Sequence, residues 1–171
     1  MKLSEGVEWT AHACLLLSIL PPGVGLSAKA LAEFHDLAPA YMAKHLQALK
    51  RAGIVETSKG PGGGYRLARD AAEVSLLDIV GAIDGNEAMF RCSEIRRKGP
   101  CISKQASFRA PCHIASAFGR ADNAWRAELA ATTIAQIAKR TAENSSETNR
   151  DDLVQWLSMK LGEPFTLSVR S

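Results

Sequence analysis

Residues 38–67 read APAYMAKHLQALKRAGIVETSKGPGGGYRL. In the segment 38–52, Met42, Leu46 and Leu49 fall at spacings of four and three, the mark of one apolar helix face. Gly53 follows directly, where a helix commonly closes on a left-handed residue. Ile54, Val55 and Thr57 then predict a short strand, SKGPGGG a glycine-dependent turn, and 65–67 the returning strand. Upstream, Ser27 is a natural N-cap for a short helix over 28–34, and 35–37 leave room only for a brief turn. Helix, turn, helix and hairpin together make a winged helix-turn-helix, whose second helix is built to enter a major groove. Tyr41, Lys44, His45, Gln47 and Lys50 occupy the polar positions of that helix, and Lys59 and Arg66 flank the wing. A basic helix face is most often only a solvated surface. Here element order, spacing and charge agree, because residues 38–69 carry six lysines and arginines against Glu56 alone. Double-stranded DNA is the expected partner.

Working outward, 7–20 are apolar on most faces and stop at Pro21-Pro22, which predicts a buried first helix. SLLDIVGAI (75–83) predicts another, with Ser75 and Asp78 spaced as a variant of the capping box. From Cys112 the chain reads as one helix of nearly thirty residues. Ile114, Phe118, Ala121, Trp125, Leu129 and Thr132 form a stripe along it, longer than a small domain covers alone. Such a stripe fits a homodimer, with packing against the first helix as the intrachain alternative. Residues 141–152 are polar and read as a mobile linker, and 153–161 as a short tail helix. The expected organisation is a DNA-binding domain over 1–70, a linker helix, cysteine loop and dimerisation helix over 71–141, and a flexible tail over 142–171. The fold class is mainly α with one small β-hairpin.

The bulk numbers agree. The 171 residues suffice for one compact domain or two small ones, and 46% are hydrophobic but only 6% aromatic, so the core is aliphatic. The net charge of +3 is too small to name a partner. Glu5, Glu8 and His12 interrupt the apolar N-terminal run, which therefore does not read as a signal peptide. With no 18-residue apolar run, no membrane partner is expected, and the expected compartment is the cytoplasm, where stable disulfides are rare. The wing's PGGG lacks the Lys-Ser/Thr of a nucleotide-binding loop.

Residues 90–113, FRCSEIRRKGPCISKQASFRAPCH, hold Cys92, Cys101 and Cys112 at C-x8-C-x10-C in a second basic patch. A [2Fe–2S] cluster takes thiolates and sometimes imidazoles, and the nearby arginines favour thiolate. Zinc is a weaker fit: the adjacent Cys112 and His113 cannot easily share one tetrahedral ion, and short knuckles are absent. A cluster-free thiol–disulfide switch suits the basic setting equally. Cys14 sits among leucines and reads as inert core. An iron–sulfur redox enzyme would need a catalytic constellation that the chain does not display, so no enzyme and no small-molecule substrate are expected.

MKLSEGVEW, AEFHDLAP, AKHLQALKRAG, GGGYRLAR, CSEIRRKGP and AWRAELAATTIA together resemble the IscR/NsrR group of bacterial winged-helix regulators over residues 1–141, most closely its RsrR type. The resemblance implies a dimeric transcription regulator, read here as a repressor, whose [2Fe–2S] cluster lies at the dimer interface. It places two thiolate ligands on Cys92 and Cys112 and, from the other subunit, a carboxylate and an imidazole on Glu8 and His35. By themselves Glu8 would be a helix-start carboxylate favoured by the dipole and His35 a solvated turn residue. Cys101 departs from the two-cysteine scheme and His12 lies one turn after Glu8, so both are further candidate ligands.

Overall fold

The computed structural model of the chain describes residues 2–60, 63–98, 108 and 110–167. Its helices are α1 (Glu5–Ser18), α2 (Ala28–Phe34), α3 (Pro39–Arg51), α4 (Leu76–Ile83), α5 (His113–Ala131), α6 (Ile134–Asn144) and α7 (Glu147–Leu161). Between α3 and α4 lie the antiparallel strands β1 (Val55–Ser58) and β2 (Gly64–Leu67), and 3-10 turns occupy Ala71–Glu73 and Ile95–Arg97. This is the mainly helical winged helix-turn-helix that residues 38–67 predict. No helix among the described residues is long and apolar enough to cross a membrane.

Local chemistry explains the boundaries. The Ser27 hydroxyl accepts from the Ala30 N–H at 3.1 Å and starts α2 where expected. Pro39 opens α3 with a pre-set φ. Gly53 closes it at φ +68°, with Gly53 N–H donating to the Lys50 carbonyl and Ile54 N–H to the Leu49 carbonyl, both at 3.0 Å. At the wing's root Leu26 and Tyr65 exchange backbone hydrogen bonds of 2.9 and 2.8 Å. Gly64 makes that approach possible: its φ is +142°, and a Cβ there would stand 2.5 Å from the Leu26 backbone. Ser75 and Asp78 form the expected capping box on α4. Ser4, which precedes α1, donates through its N–H and its hydroxyl to the Asp84 carboxylate at 2.9 and 2.5 Å, tying the start of α1 to the end of α4.

One apolar core joins α1, α2, α3, the hairpin and α4 to α6 and α7, with Met42, Leu46, Leu49, Ile79 and Ile134 fully buried. Each such side chain contributes about 1.5–3 kcal/mol by leaving water.

Two expectations are corrected. The near-thirty-residue helix is two helices, because Thr132 and Thr133 take up extended backbone pairing with 74–76. Leu76 N–H donates to the Thr132 carbonyl and Ile134 N–H to the Val74 carbonyl, both at 2.9 Å. Thr133 then caps α6 in a box with Gln136. The polar segment 141–152 is largely helical, because its polar residues serve as caps. Ser146 accepts from Asn149 N–H at 3.2 Å, and Arg150 donates to the Ala142 and Ser145 carbonyls at 3.0 and 2.9 Å. α7 thus starts well before Leu153, and its Leu157 is 0% exposed in the common core.

Leu157→Ala is expected to cost about 2–5 kcal/mol, as for other large-to-small core changes. Urea denaturation checks it; an unchanged midpoint would mean that α7 is not docked on the core.

Candidate functional site

Three surfaces carry the candidate residues. The first is the outer face of α3 with the wing. Tyr41 is 59% exposed, and Lys44, Gln47 and Lys50 also face solvent, as does Lys59 at the wing. Gln47 Nε2 donates to the Tyr65 hydroxyl at 2.8 Å and Lys50 Nζ to the Thr57 hydroxyl at 2.7 Å, so helix and hairpin are joined side chain to side chain. Arg66 pairs across the hairpin with Glu56 at 2.7 Å and reaches the Gly23 carbonyl at 3.3 Å. His45 turns inward instead: its ring lies over Gly6 of α1 and meets the Trp9 ring edge-on at 5.7 Å. Burial, then the neighbouring Lys44, hold its imidazole below the ordinary range.

The second is a shallow cavity of about 240 Å³ lined by Glu8, Trp9, His12, His35 and Leu37. Glu8 and His12 sit one turn apart on α1, and His35 caps the end of α2. The two imidazoles stand 5.5 Å apart, centroid to centroid. Burial and, secondarily, the charge of His12 hold His35 below the ordinary imidazole range, which favours the neutral ring that a metal needs. Among the described residues its buried Nε2 has no hydrogen-bond partner, an arrangement that native structures rarely leave unexplained.

Trp9 is the residue that sequence reasoning missed. It lines this cavity, and its ring also meets Tyr41 of α3 at 6.2 Å. It thereby puts the cavity in direct contact with α3. The only signal in the sequence is its place beside Glu8 in the MKLSEGVEW segment.

The third surface is the thiol pair. Cys92 lies exposed in the loop after α4, and Cys112 is the N-cap of α5. The backbone N–H groups of Ala115 and Ile114 at the start of α5 and, less strongly, Arg96 hold the Cys112 thiol below the ordinary range, although no side-chain capping hydrogen bond forms there. Arg96 pairs with Glu94 and donates to the Ala110 carbonyl at 3.2 Å, while Glu94 N–H donates to Cys92 Sγ at 3.4 Å. One guanidinium therefore bridges the two cysteine-bearing segments. Cys14 is fully buried, and burial pushes its thiol up to about 12. Cys101 lies outside the described residues.

Among the described residues of one chain, no three His, Cys, Asp or Glu side chains converge as a metal site. The candidate ligands thus form two separate half-sets, Glu8 with His12 and His35, and Cys92 with Cys112. On α5, Ile114 and Phe118 stay exposed at 64% and 50%, with Phe118 stacked on Phe90 at 4.5 Å. Trp125 and Leu129 pack against the core, so only part of the stripe is covered within the chain.

Residues 3–140 match the family model of Rrf2, described as an iron-dependent transcriptional regulator. The chain is 24% identical over 160 residues to the transcriptional regulator NsrR of Bacillus subtilis, covering 94% of this chain and 99% of that one. Among solved structures it resembles the global cysteine regulator CymR of B. subtilis (TM-score 0.67, 20% identity, 82% of this chain and 98% of that one). It also resembles IscR of T. potens (TM-score 0.65, 20% identity, 86% and 93%).

In protein free of metal, Cys112 should be alkylated by iodoacetamide at lower pH than an ordinary thiol, since it is more readily ionised, and Cys14 should not react until unfolding. Peptide mass spectrometry across a pH series checks this. Arg96→Ala should move the Cys112 profile to higher pH.

Proposed function

The chain belongs to the Rrf2 family of transcriptional regulators, and from that premise we propose that it acts as a homodimeric repressor governed by a redox-sensing [2Fe–2S] cluster. It is a DNA-binding regulator and not an enzyme. In the proposed dimer, α3 lies in the major groove with Tyr41, Lys44, Gln47 and Lys50 outward, while Lys59 and Arg66 meet the backbone beside the wing. The exposed Ile114–Phe118 face of α5 packs on its own copy. The division at about residue 70 is functional in this reading, with the DNA-reading unit ahead of the cysteine loop and α5, while one apolar core joins both sides.

Cys92 and Cys112 of one subunit and Glu8 and His35 of the other are the proposed ligands, with Cys101 and His12 as the reserve candidates. The observation that carries this reading is the pair of half-sets, each incomplete and each chemically prepared. A buried His35 Nε2 lacks a partner, and the Cys112 thiol is biased toward thiolate at a helix start. Neutral imidazole, carboxylate and thiolate are donors such a cluster accepts, so the residues present fit the group. When bound, it supplies a one-electron couple whose potential imidazole ligation raises. The protein's own part is positional. His35 closes α2 a few residues before α3 begins, and Trp9 spans from the cavity to Tyr41 and His45. A shift at the cavity is therefore a shift at the DNA-reading helix.

A cluster-free thiol switch is the second reading, supported by the Arg96 bridge between the two cysteine segments. A complementation experiment separates the two. A Cys92→Ser/Cys112→Ser chain and a Glu8→Ala/His35→Ala chain should each fail to hold cluster as homodimers after anaerobic reconstitution. Mixed dimers should regain one cluster per dimer by iron and sulfide analysis. Colourless mixed dimers, together with iron-free wild type whose operator affinity follows disulfide reductants, would establish the thiol reading instead.

Lys44→Ala should weaken operator binding by about 1–3 kcal/mol if it reads a base edge. If Lys44 instead contacts phosphate, the salt dependence should flatten by about one counterion. Fluorescence anisotropy at several salt concentrations distinguishes them.

A further inference from the structure

α7 lies beyond residues 3–140, the part matched to the family model, yet it is docked on the common core through Leu157. Its inward side meets the end of α2, the turn that carries His35. Trp156 packs edge-on against Phe34 at 4.7 Å, and Phe34 packs edge-on against His35 at 4.9 Å, with planes at 87°. Beside them Lys160 Nζ pairs with Glu33 Oε1 at 2.6 Å and lies 5.7 Å from the centre of the Trp156 ring. A continuous line of side chains, Trp156–Phe34–His35–His12, therefore runs from the last helix into the cavity.

We propose that Trp156 is a positioning residue: acting through Phe34, it fixes the imidazole of His35 in the cavity. The proposal rests on reading His35 as a ligand. The turn closes on its own backbone, with Asp36 N–H donating to the Glu33 carbonyl at 3.2 Å and Leu37 N–H to the Ala32 carbonyl at 2.8 Å, but these bonds hold the backbone and not the imidazole ring. Asp36, next to His35, stands at φ +51°, a left-handed conformation that non-glycine residues adopt at a cost. Phe34 is a partly exposed ring that meets Trp156 on one side and His35 on the other, both edge-on. The Lys160–Glu33 pair is half in solvent and worth little by itself, so on the side of α7 the aromatic contact is the restraint on the ring.

The test uses the full-length, cluster-free dimer, so that failure of the cluster reading leaves it interpretable. Trp156→Leu keeps apolar bulk in place and removes the ring edge; Trp156→Phe restores an aromatic edge. In Trp156→Leu, amide exchange over 32–37 should speed up by about tenfold, a local opening with α3 and β1 unchanged. The His35 ring signals should shift and broaden in imidazole-detected NMR. Trp156→Phe should return both toward wild type. After reconstitution, Trp156→Leu should hold the same iron content with an altered EPR signature. Exchange that rises uniformly across the chain, or a lower melting temperature with His35 signals unmoved, would reduce α7 to a general cap and overturn the proposal.

Discussion

The contact on which most of this arrangement depends is the seating of α3 against α1 at Gly6. A side chain there would overlap the His45 ring, and only hydrogen leaves room for the ring to lie on the helix backbone. The same seating brings α3 against α1, where the buried Met42, Leu46 and Leu49 join the apolar face of α1 in one core. It also turns His45 inward, so that Trp9 fills the space between the cavity and Tyr41. α1 thus has two jobs along one length. Val7, Ala13, Leu16 and Leu17 anchor it in the core, while Glu8, Trp9 and His12 face the cavity. Tight packing of the first set is what gives the second its fixed aim.

The two half-sets differ in electrostatic character. The cavity pairs a carboxylate with imidazoles, one of them biased to its neutral form by burial. The cysteine loop keeps its thiols beside a guanidinium and the N–H groups that open α5. Each is stable as it stands, since Arg96 is satisfied by Glu94 and the Ala110 carbonyl. Within the two half-sets, the buried polar atom left without a partner among the described residues is His35 Nε2. On the proposed reading, a site split in this way is assembled only when subunits associate, so sensing would depend on the same association that DNA half-sites require.

Much of the fold is legible because its signals are local. Ser27, Pro39, Gly53 and the Ser75–Asp78 box each mark a boundary through bonds to neighbours within a few residues. What escapes sequence reading is non-local. LAATTIAQ contains good helix formers, and only the distant segment 74–76 supplies the pairing that breaks the helix there. Ser146, Asn149 and Arg150 are a different case: their bonds are local, but these residue types build loops and helix caps alike, so their polarity reads as a linker. The site divides the same way. The exposed row on α3 follows from helical spacing, whereas Glu8 and His35 stand out only through the family resemblance. Trp9 gains meaning only when α3 is laid beside it.

The joint at Thr132–Thr133 has a mechanical consequence. A continuous helix from His113 to Asn144 would be a rod of about 48 Å, and a tilt at one end would sweep the other through the core. Pinned to the strand-like segment 74–76, the joint acts as a fulcrum. α6 stays anchored by Ile134, and α5 leaves the joint as a separate helix, with Trp125 and Leu129 on the core and Cys112 beside the exposed Ile114–Phe118 face at its far end. In the proposed dimer, a displacement at the thiols would bear first on the relative orientation of the two subunits.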